Sequence, residues 1–326
     1  MNYEEFKETV KKHFLDCMPN GYQNMKVTVI TVDKINRKMD GLSLSVPKEE
    51  NSRFSHLMNE KTMISPTLYI NDMYDEYVKT GNFRATMQEA AEAMDKAFRE
   101  ARIPSLDLSR AKDRIVFQLV NTMQNEDLLE NTPHRNFQDL SIIYRWVTDN
   151  DERGLSSFII HNHMAESLEM TEEQLFKVAA ENTRRMLPPM VQSIKEIMKD
   201  LCMDQGLSVE LADQMMEESD PTGNMWVISN ERKINGAVTM LYEDKLHSLA
   251  ESMGTDLYIL PSSIHEVIAV STETGRPEEL AQMVSETNRH EVMPGERLSN
   301  QVYHYSRNMR TITSVANTGH RVMDEP

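Results

Sequence analysis

The chain has 326 residues, of which 39% are apolar, below the roughly 45–50% usual for globular domains. Its 35 basic and 52 acidic residues give a formal net charge of −17, which repels phosphate backbones and anionic membranes at long range. That argues against direct nucleic-acid binding and against a membrane role. Cys17 and Cys202 are too few and too far apart for a disulfide framework or a zinc knuckle, and they fit a reducing, cytoplasmic setting. The N-terminus, Met1 to Phe6, is acidic and does not read as a secretory signal. No apolar run approaches the roughly 18 residues that span a bilayer. The 25 methionines read as core filling.

The spacing of Tyr3, Phe6, Val10 and Phe14 predicts a helix over 3–17, capped by Asn2 with Glu5 three residues on. Pro19-Asn20-Gly21 stops it. Strands at 26–33 and 42–46 follow, joined by a polar connection as a hairpin. Residues 48–62 read as loop, 66–70 as a short strand and 72–79 as a helix. Thr86 and Glu89 form a capping pattern ahead of a helix with Met87, Ala91, Met94 and Phe98 on one face.

Residues 114–120 predict a strand and 125–130 a helical turn. Strands at 139–147 and 155–161 flank an acidic turn. Thr171 and Gln174 open a helix with Leu175, Ala179 and Met186 inward. After Pro188-Pro189 a second helix turns Val191, Ile194, Met198 and Leu201 inward, and a third spans about 209–218. The pattern then reads strand (225–229), Asn235-Gly236 turn, strand (237–241), helix (243–253, stopped by Gly254), strand (256–260), strand (264–270). Beyond Thr274 the chain is polar, with order expected only at 280–287 and 298–313.

Several segments carry a resemblance when taken in order. They are Asn162 with Thr171–Leu175, Ala180–Thr183, Trp226–Asn230, Asn235–Ala237, Leu241-Tyr242, Tyr258–Glu266 and Leu298–Tyr303. Together they resemble a bacterial family known only as a domain of unknown function, DUF 5688. The resemblance implies a bacterial cytoplasmic protein and supplies no activity, cofactor or catalytic residue.

The densest polar cluster between buried-looking strands is Pro261-Ser262-Ser263-Ile264-His265-Glu266. A hydroxyl pair, an imidazole and a carboxylate are the parts of a nucleophilic site. In extended chain Ser263 and His265 share a face, whereas Glu266 points away, which weakens a triad. The competing reading is structural: Pro261 interrupts the ladder and the hydroxyls satisfy freed backbone groups. His161 and His163 on one strand face could share a metal, with a third ligand from His134, Asp139 or Glu166. Asn121, Asn125, Asn162, Asn230 and Asn235 read as caps and turns, and Arg184-Arg185 as a solvated helix face.

These observations predict an α+β fold. Small antiparallel sheets from local hairpins pack against segregated helices, and the C-terminal part is a β-β-α-β-β unit that shares a sheet with the hairpin at 139–161. The expected divisions are an N-terminal unit over 1–132, a central and C-terminal unit over 133–274, and a polar, partly disordered tail over 275–326. The leading expectation is a non-enzymatic interaction or regulatory protein with an unknown protein or small-molecule partner and no cofactor. One alternative is a hydrolase using Ser262, Ser263, His265 and Glu266, assisted by His161 and His163. The other is an acidic decoy that mimics nucleic acid. Whether the chain is an enzyme, and its oligomeric state, stay open at this point.

Overall fold

The structure, a computed structural model, describes residues 1–45, 66–100, 108–151, 154–206, 208 and 225–316. The chain divides into two compact units, Met1–Ser105 and Leu106–Pro326.

In the first unit α1 (Tyr3–Cys17) opens on the expected capping box. The Asn2 side chain accepts the Glu5 amide at 2.9 Å and the Glu5 carboxylate accepts the Asn2 amide at 3.0 Å. β1 (Lys26–Lys34) and β2 (Arg37–Ser45) pair antiparallel across a two-residue turn with Asn36 at φ +61°. Most of the stretch expected as a polar connection is therefore strand. β3 (Thr67–Tyr69) pairs with the other side of β2. α2 (Ile70–Thr80) and α3 (Phe83–Glu100) follow. α3 begins before Thr86 because Asn82 caps it, accepting the Ala85 amide at 3.1 Å. Phe6, Val10, Phe14, Met87, Met94 and Phe98 fill the core of this unit.

The second unit contains two antiparallel sheets. In the first, the long β6 (Leu140–Asp151) pairs on one side with β4 (Ile115–Asn121). On its other side it pairs with β5 (His134–Phe137) and then β7 (Gly154–Ile159). The outer edge of β4 is sealed by α6 (Glu172–Met186), which starts at the expected Thr171–Gln174 capping box. Asn182 donates to the Lys112 and Ile115 carbonyls at 2.6 and 3.0 Å, and the Thr183 hydroxyl accepts the Phe117 amide at 2.9 Å. Short helices α4 (Glu126–Glu130) and α5 (Asn162–Ser167) fill the connections.

The second sheet has six strands. Their order is β13 (Thr311–Ala316), β12 (Val302–Ser306), β10 (Leu257–Leu260), β11 (Val267–Ser271), β9 (Met225–Asn230) and β8 (Pro189–Ser193). β10 alternates cleanly. Leu257 and Ile259 enter the main core with Phe117, Ile142 and Tyr303, while Tyr258 and Leu260 face the smaller cluster under α9 (Pro277–His290). α7 (Ile194–Asp204) and α8 (Glu243–Met253) complete the described elements, with Gly254 ending α8 at φ +73°.

The fold class is α+β as expected, but several details change. The boundary near 132 falls inside the second unit, because β4 pairs with β6 along its whole length. The hairpin at 139–161 keeps its own sheet. Residues 236–241 form a 3-10 helix instead of a strand, since Ala237, Val238, Thr239 and Met240 are buried on every side and carry no alternation. Val191 lies on β8, and Met198 and Leu201 of α7 are 39% and 54% exposed rather than inward. Residues 277–316 are folded, with Tyr303 and Tyr305 in the core. The helix expected over 209–218 and the loop at 48–62 lie outside the described residues.

Asp40 is the buried electrostatic centre of the first unit. It accepts from Tyr3 at 2.8 Å and Thr31 at 3.2 Å, and pairs with Lys7 at 2.7 Å. Burial opposes its ionisation, but these partners together outweigh burial and hold the carboxyl below the usual carboxylate range. A depressed folded pKa contributes stability that is complete above the unfolded value and is lost as pH falls through the folded one. Asp40→Asn should therefore destabilise this unit by on the order of 1–3 kcal/mol at pH 7. The gap should narrow below about pH 4. Hydrogen exchange of the α1 and β2 amides measures it, and a gap constant from pH 7 to 3 would contradict the assignment.

Candidate functional site

The segment 261–266 is the six-residue connection between β10 and β11, held on both sides through its backbone. On one side the Pro261 and Ser262 carbonyls accept the Ser299 and Leu298 amides, both at 2.9 Å, and the Ile264 amide donates to the Glu296 carbonyl at 2.9 Å. On the other side the Ile264 carbonyl accepts the Ala237 amide at 3.1 Å, and the His265 carbonyl accepts the Ser229 hydroxyl at 2.7 Å. The buried Ser263 hydroxyl accepts the His265 amide at 3.0 Å, a turn contact and not a contact to the ring. Ser262 and Glu266 are half-buried, and neither side chain makes a hydrogen bond among the described residues.

The His265 ring faces elsewhere. Its Nδ1 accepts the Asn235 amide at 3.2 Å, which puts the proton of the neutral ring on Nε2, 3.5 Å from Glu296 Oε1. In that tautomer the ring offers no free lone pair to a serine. The structure therefore brings Ser263 and His265 together through the backbone, and gives His265 a carboxylate, Glu296, that lies far from the motif in sequence. His161 occupies the N-cap position of α5 without a side-chain capping bond and His163 lies on its exposed first turn, so neither is in a strand. Their rings stack at 6.0 Å, and His161 Nδ1 is 3.4 Å from the Thr132 hydroxyl. Among the described residues no group of three His, Cys, Asp or Glu side chains is placed to hold a metal. Asp139, considered as a third ligand, accepts instead from Ser299 at 2.7 Å and from the buried Tyr303, whose phenol burial pushes well above its ordinary pKa.

A cleft of about 450 Å³ opens elsewhere in the second unit. Its walls are β4 to β6, α6, residues 240–246 and the β12–β13 hairpin, and its floor is mostly Phe117, Phe137, Ile142, Phe176, Met240 and Leu246. α6 contributes the stripe Phe176, Ala180, Arg184 at four-residue spacing, and β5 contributes Arg135 and Phe137 two apart. The Arg135 guanidinium lies 3.9 Å over the Phe176 ring and bonds Glu172 through Nε and Nη2 at 3.0 and 2.9 Å. Glu172 is half-buried. Burial opposes its ionisation, but Arg135 and the Tyr144 hydroxyl hold its pKa down. Arg184 lies 4.2 Å over the Tyr242 ring and forks onto Asp244. Glu243 accepts from Tyr305 at 3.1 Å and pairs with Arg310 Nε at 3.4 Å. Tyr242 is 4% exposed, and its hydroxyl is buried with no partner among the described residues. Burial pushes this phenol up to about 12.

A model for a family of unknown function, DUF5688, matches residues 3–307. The chain belongs to that family. Comparison with curated proteins finds no match, and comparison with solved structures finds none. The DUF5688 match covers both the connection at 261–266 and nearly the whole cleft wall; Arg310 and Ile312 lie beyond it. Sequence reasoning singled out the first and missed the second. The available signal was the α6 stripe, where Arg184 follows Phe176 and Ala180 on one helical face.

Gly236 joins the two regions. A Cβ at this position would sit 2.1 Å from the Ser229 hydroxyl and 2.4 Å from the His265 carbonyl. Gly236→Ala should cost about 3 kcal/mol or more, since two backbone elements must part. Denaturant unfolding measures it, and a loss below about 1 kcal/mol would show that the contact yields easily. Tyr242→Phe removes a buried hydroxyl that has no partner. It should leave stability unchanged or raise it by about 1 kcal/mol, and a clear loss in the same measurement would reveal a hydrogen bond.

Proposed function

We propose that this protein is a non-enzymatic ligand-binding protein with a regulatory role, and that a small molecule with an apolar body occupies the cleft of the second unit. The observation that carries the reading is the cleft itself. A concave volume of about 450 Å³ with an aromatic and aliphatic floor and a few fixed polar groups has the make-up of small-molecule sites. The guanidinium groups of Arg135 and Arg184 are held against rings by carboxylates, so the walls are ordered before a ligand arrives. None of Ser262, Ser263, His265, Glu266, His161 or His163 lines it. The hydrolase alternative draws less support, because Ser263 is engaged by backbone and the His265 lone pair by Asn235.

The neutral dye N-phenyl-1-naphthylamine should brighten on binding the full-length protein. Ala180→Trp, which adds an indole at the α6 wall, should abolish that rise while keeping the wild-type thermal midpoint. Ile312→Trp, on a separate strand, should do the same should the first variant fold poorly. Equal dye binding by wild type and both variants, or no binding by wild type, would defeat the reading.

A further inference from the structure

We infer that the ligand of this cleft is an organic anion: an apolar, ring-compatible body carrying a carboxylate or similar acidic group. The inference rests on the reading that the cleft is a binding site, and it adds the sign of the ligand's charge. In a chain of net charge −17, the cleft wall carries three guanidinium groups, Arg135, Arg184 and Arg310; each is paired with a carboxylate, but of Glu172, Asp244 and Glu243 only Glu243 lines the cleft. The arginines come from a strand, a helix and a hairpin turn, so their convergence is a product of the fold and not of a basic run in the sequence.

Each arginine keeps donors in reserve. Arg135 spends Nε and Nη2 on Glu172, which leaves Nη1 without a partner among the described residues. Arg184 spends both terminal nitrogens on Asp244, which leaves Nε. Arg310 directs Nε toward Glu243 and has both terminal nitrogens left. Arg310 sits in the turn between β12 and β13 at φ +55°, a tight geometry that carries it to the mouth of the cleft beside Ile312. Glu243 is already engaged by Tyr305 and Arg310, so it repels an incoming anion less than a free carboxylate would.

The Tyr242 ring belongs to the same wall and carries the Arg184 guanidinium 4.2 Å above it, while its hydroxyl is enclosed by protein atoms. A carboxylate makes stronger bonds to the reserve guanidinium donors than a neutral acceptor does. A cation with the same body would meet guanidinium donors it cannot accept from and a Glu243 carboxylate already engaged. A neutral acceptor such as an amide carbonyl would bond the same donors, but more weakly than a carboxylate does.

Calorimetric titration of the full-length protein with three ligands of one body tests this: 2-naphthoate, neutral 2-naphthamide and cationic 2-naphthylmethylamine. The acid should bind at least tenfold more tightly than the amide and the amine more weakly still, and the acid's advantage should shrink as salt rises. Arg310→Gln should lower the affinity for 2-naphthoate at least tenfold and narrow the gap between acid and amide. An amide that binds as tightly as the acid would overturn the anion inference and leave the cleft standing as an apolar site. Tighter binding of the amine would overturn it as well. Binding by none of the three, with no dye bound either, would remove the cleft reading and this inference together.

Discussion

Burying the connection between β10 and β11 constrains everything around it in the second unit. Six residues leave the ladder there, and their peptide groups cannot be left unpaired inside the core. The structure satisfies them from two sides: residues 296–299 bond Pro261, Ser262 and Ile264, and residues 229–237 bond Ile264 and His265. The fit leaves no space at Gly236, where even a methyl group would collide with the Ser229 hydroxyl and the His265 carbonyl. The polar contacts continue outward. Asn121 donates to the Leu298 carbonyl at 3.1 Å, Ser299 and Tyr303 reach Asp139, and Asn288 donates to the Ser299 carbonyl at 2.9 Å. A polar network of this extent, in which Asn288 Oδ1 has no partner among the described residues, favours one arrangement of the two sheets.

The cleft follows from that arrangement. Once Gly236 and Ala237 are seated against residues 264–265, the 3-10 turn runs on and delivers Met240, Leu241, Tyr242 and Glu243 to one wall. The opposite wall is set by α6, whose attachment to the β4 edge through Asn182 and Thr183 turns Phe176, Ala180 and Arg184 inward. The carboxylates Glu172 and Asp244 then hold two guanidinium groups flat on aromatic rings. The motif that looked most like an active site thus serves as the mount for one wall of the cleft.

Much of the local structure was legible in the sequence, because caps and periodicity are local physics. The boxes at Asn2–Glu5 and Thr171–Gln174, the stop at Gly254 and the alternation along β1 act over a few residues. The run 237–241 was misread because an apolar stretch without alternation is compatible with a buried strand or a buried helical turn. β5 went unseen because His134, Arg135 and Asn136 carry no strand signal and are strand only because β6 accepts them. Met198 and Leu201 show the reverse failure, since an apolar stripe on a helix does not guarantee a neighbour to bury it.

By itself the sequence determined the α+β class, most helix ends, the acidic surface and the family resemblance, all of which depend on residue type and short spacing. Only the tertiary structure decided which hydroxyls and rings meet. It gave Ser263 to a backbone amide, paired His265 with the distant Glu296, and gathered Arg135, Arg184 and Arg310 from three elements around one cleft. Those partners are far apart along the chain, and the contacts that select them are made by the burial of many other side chains at once.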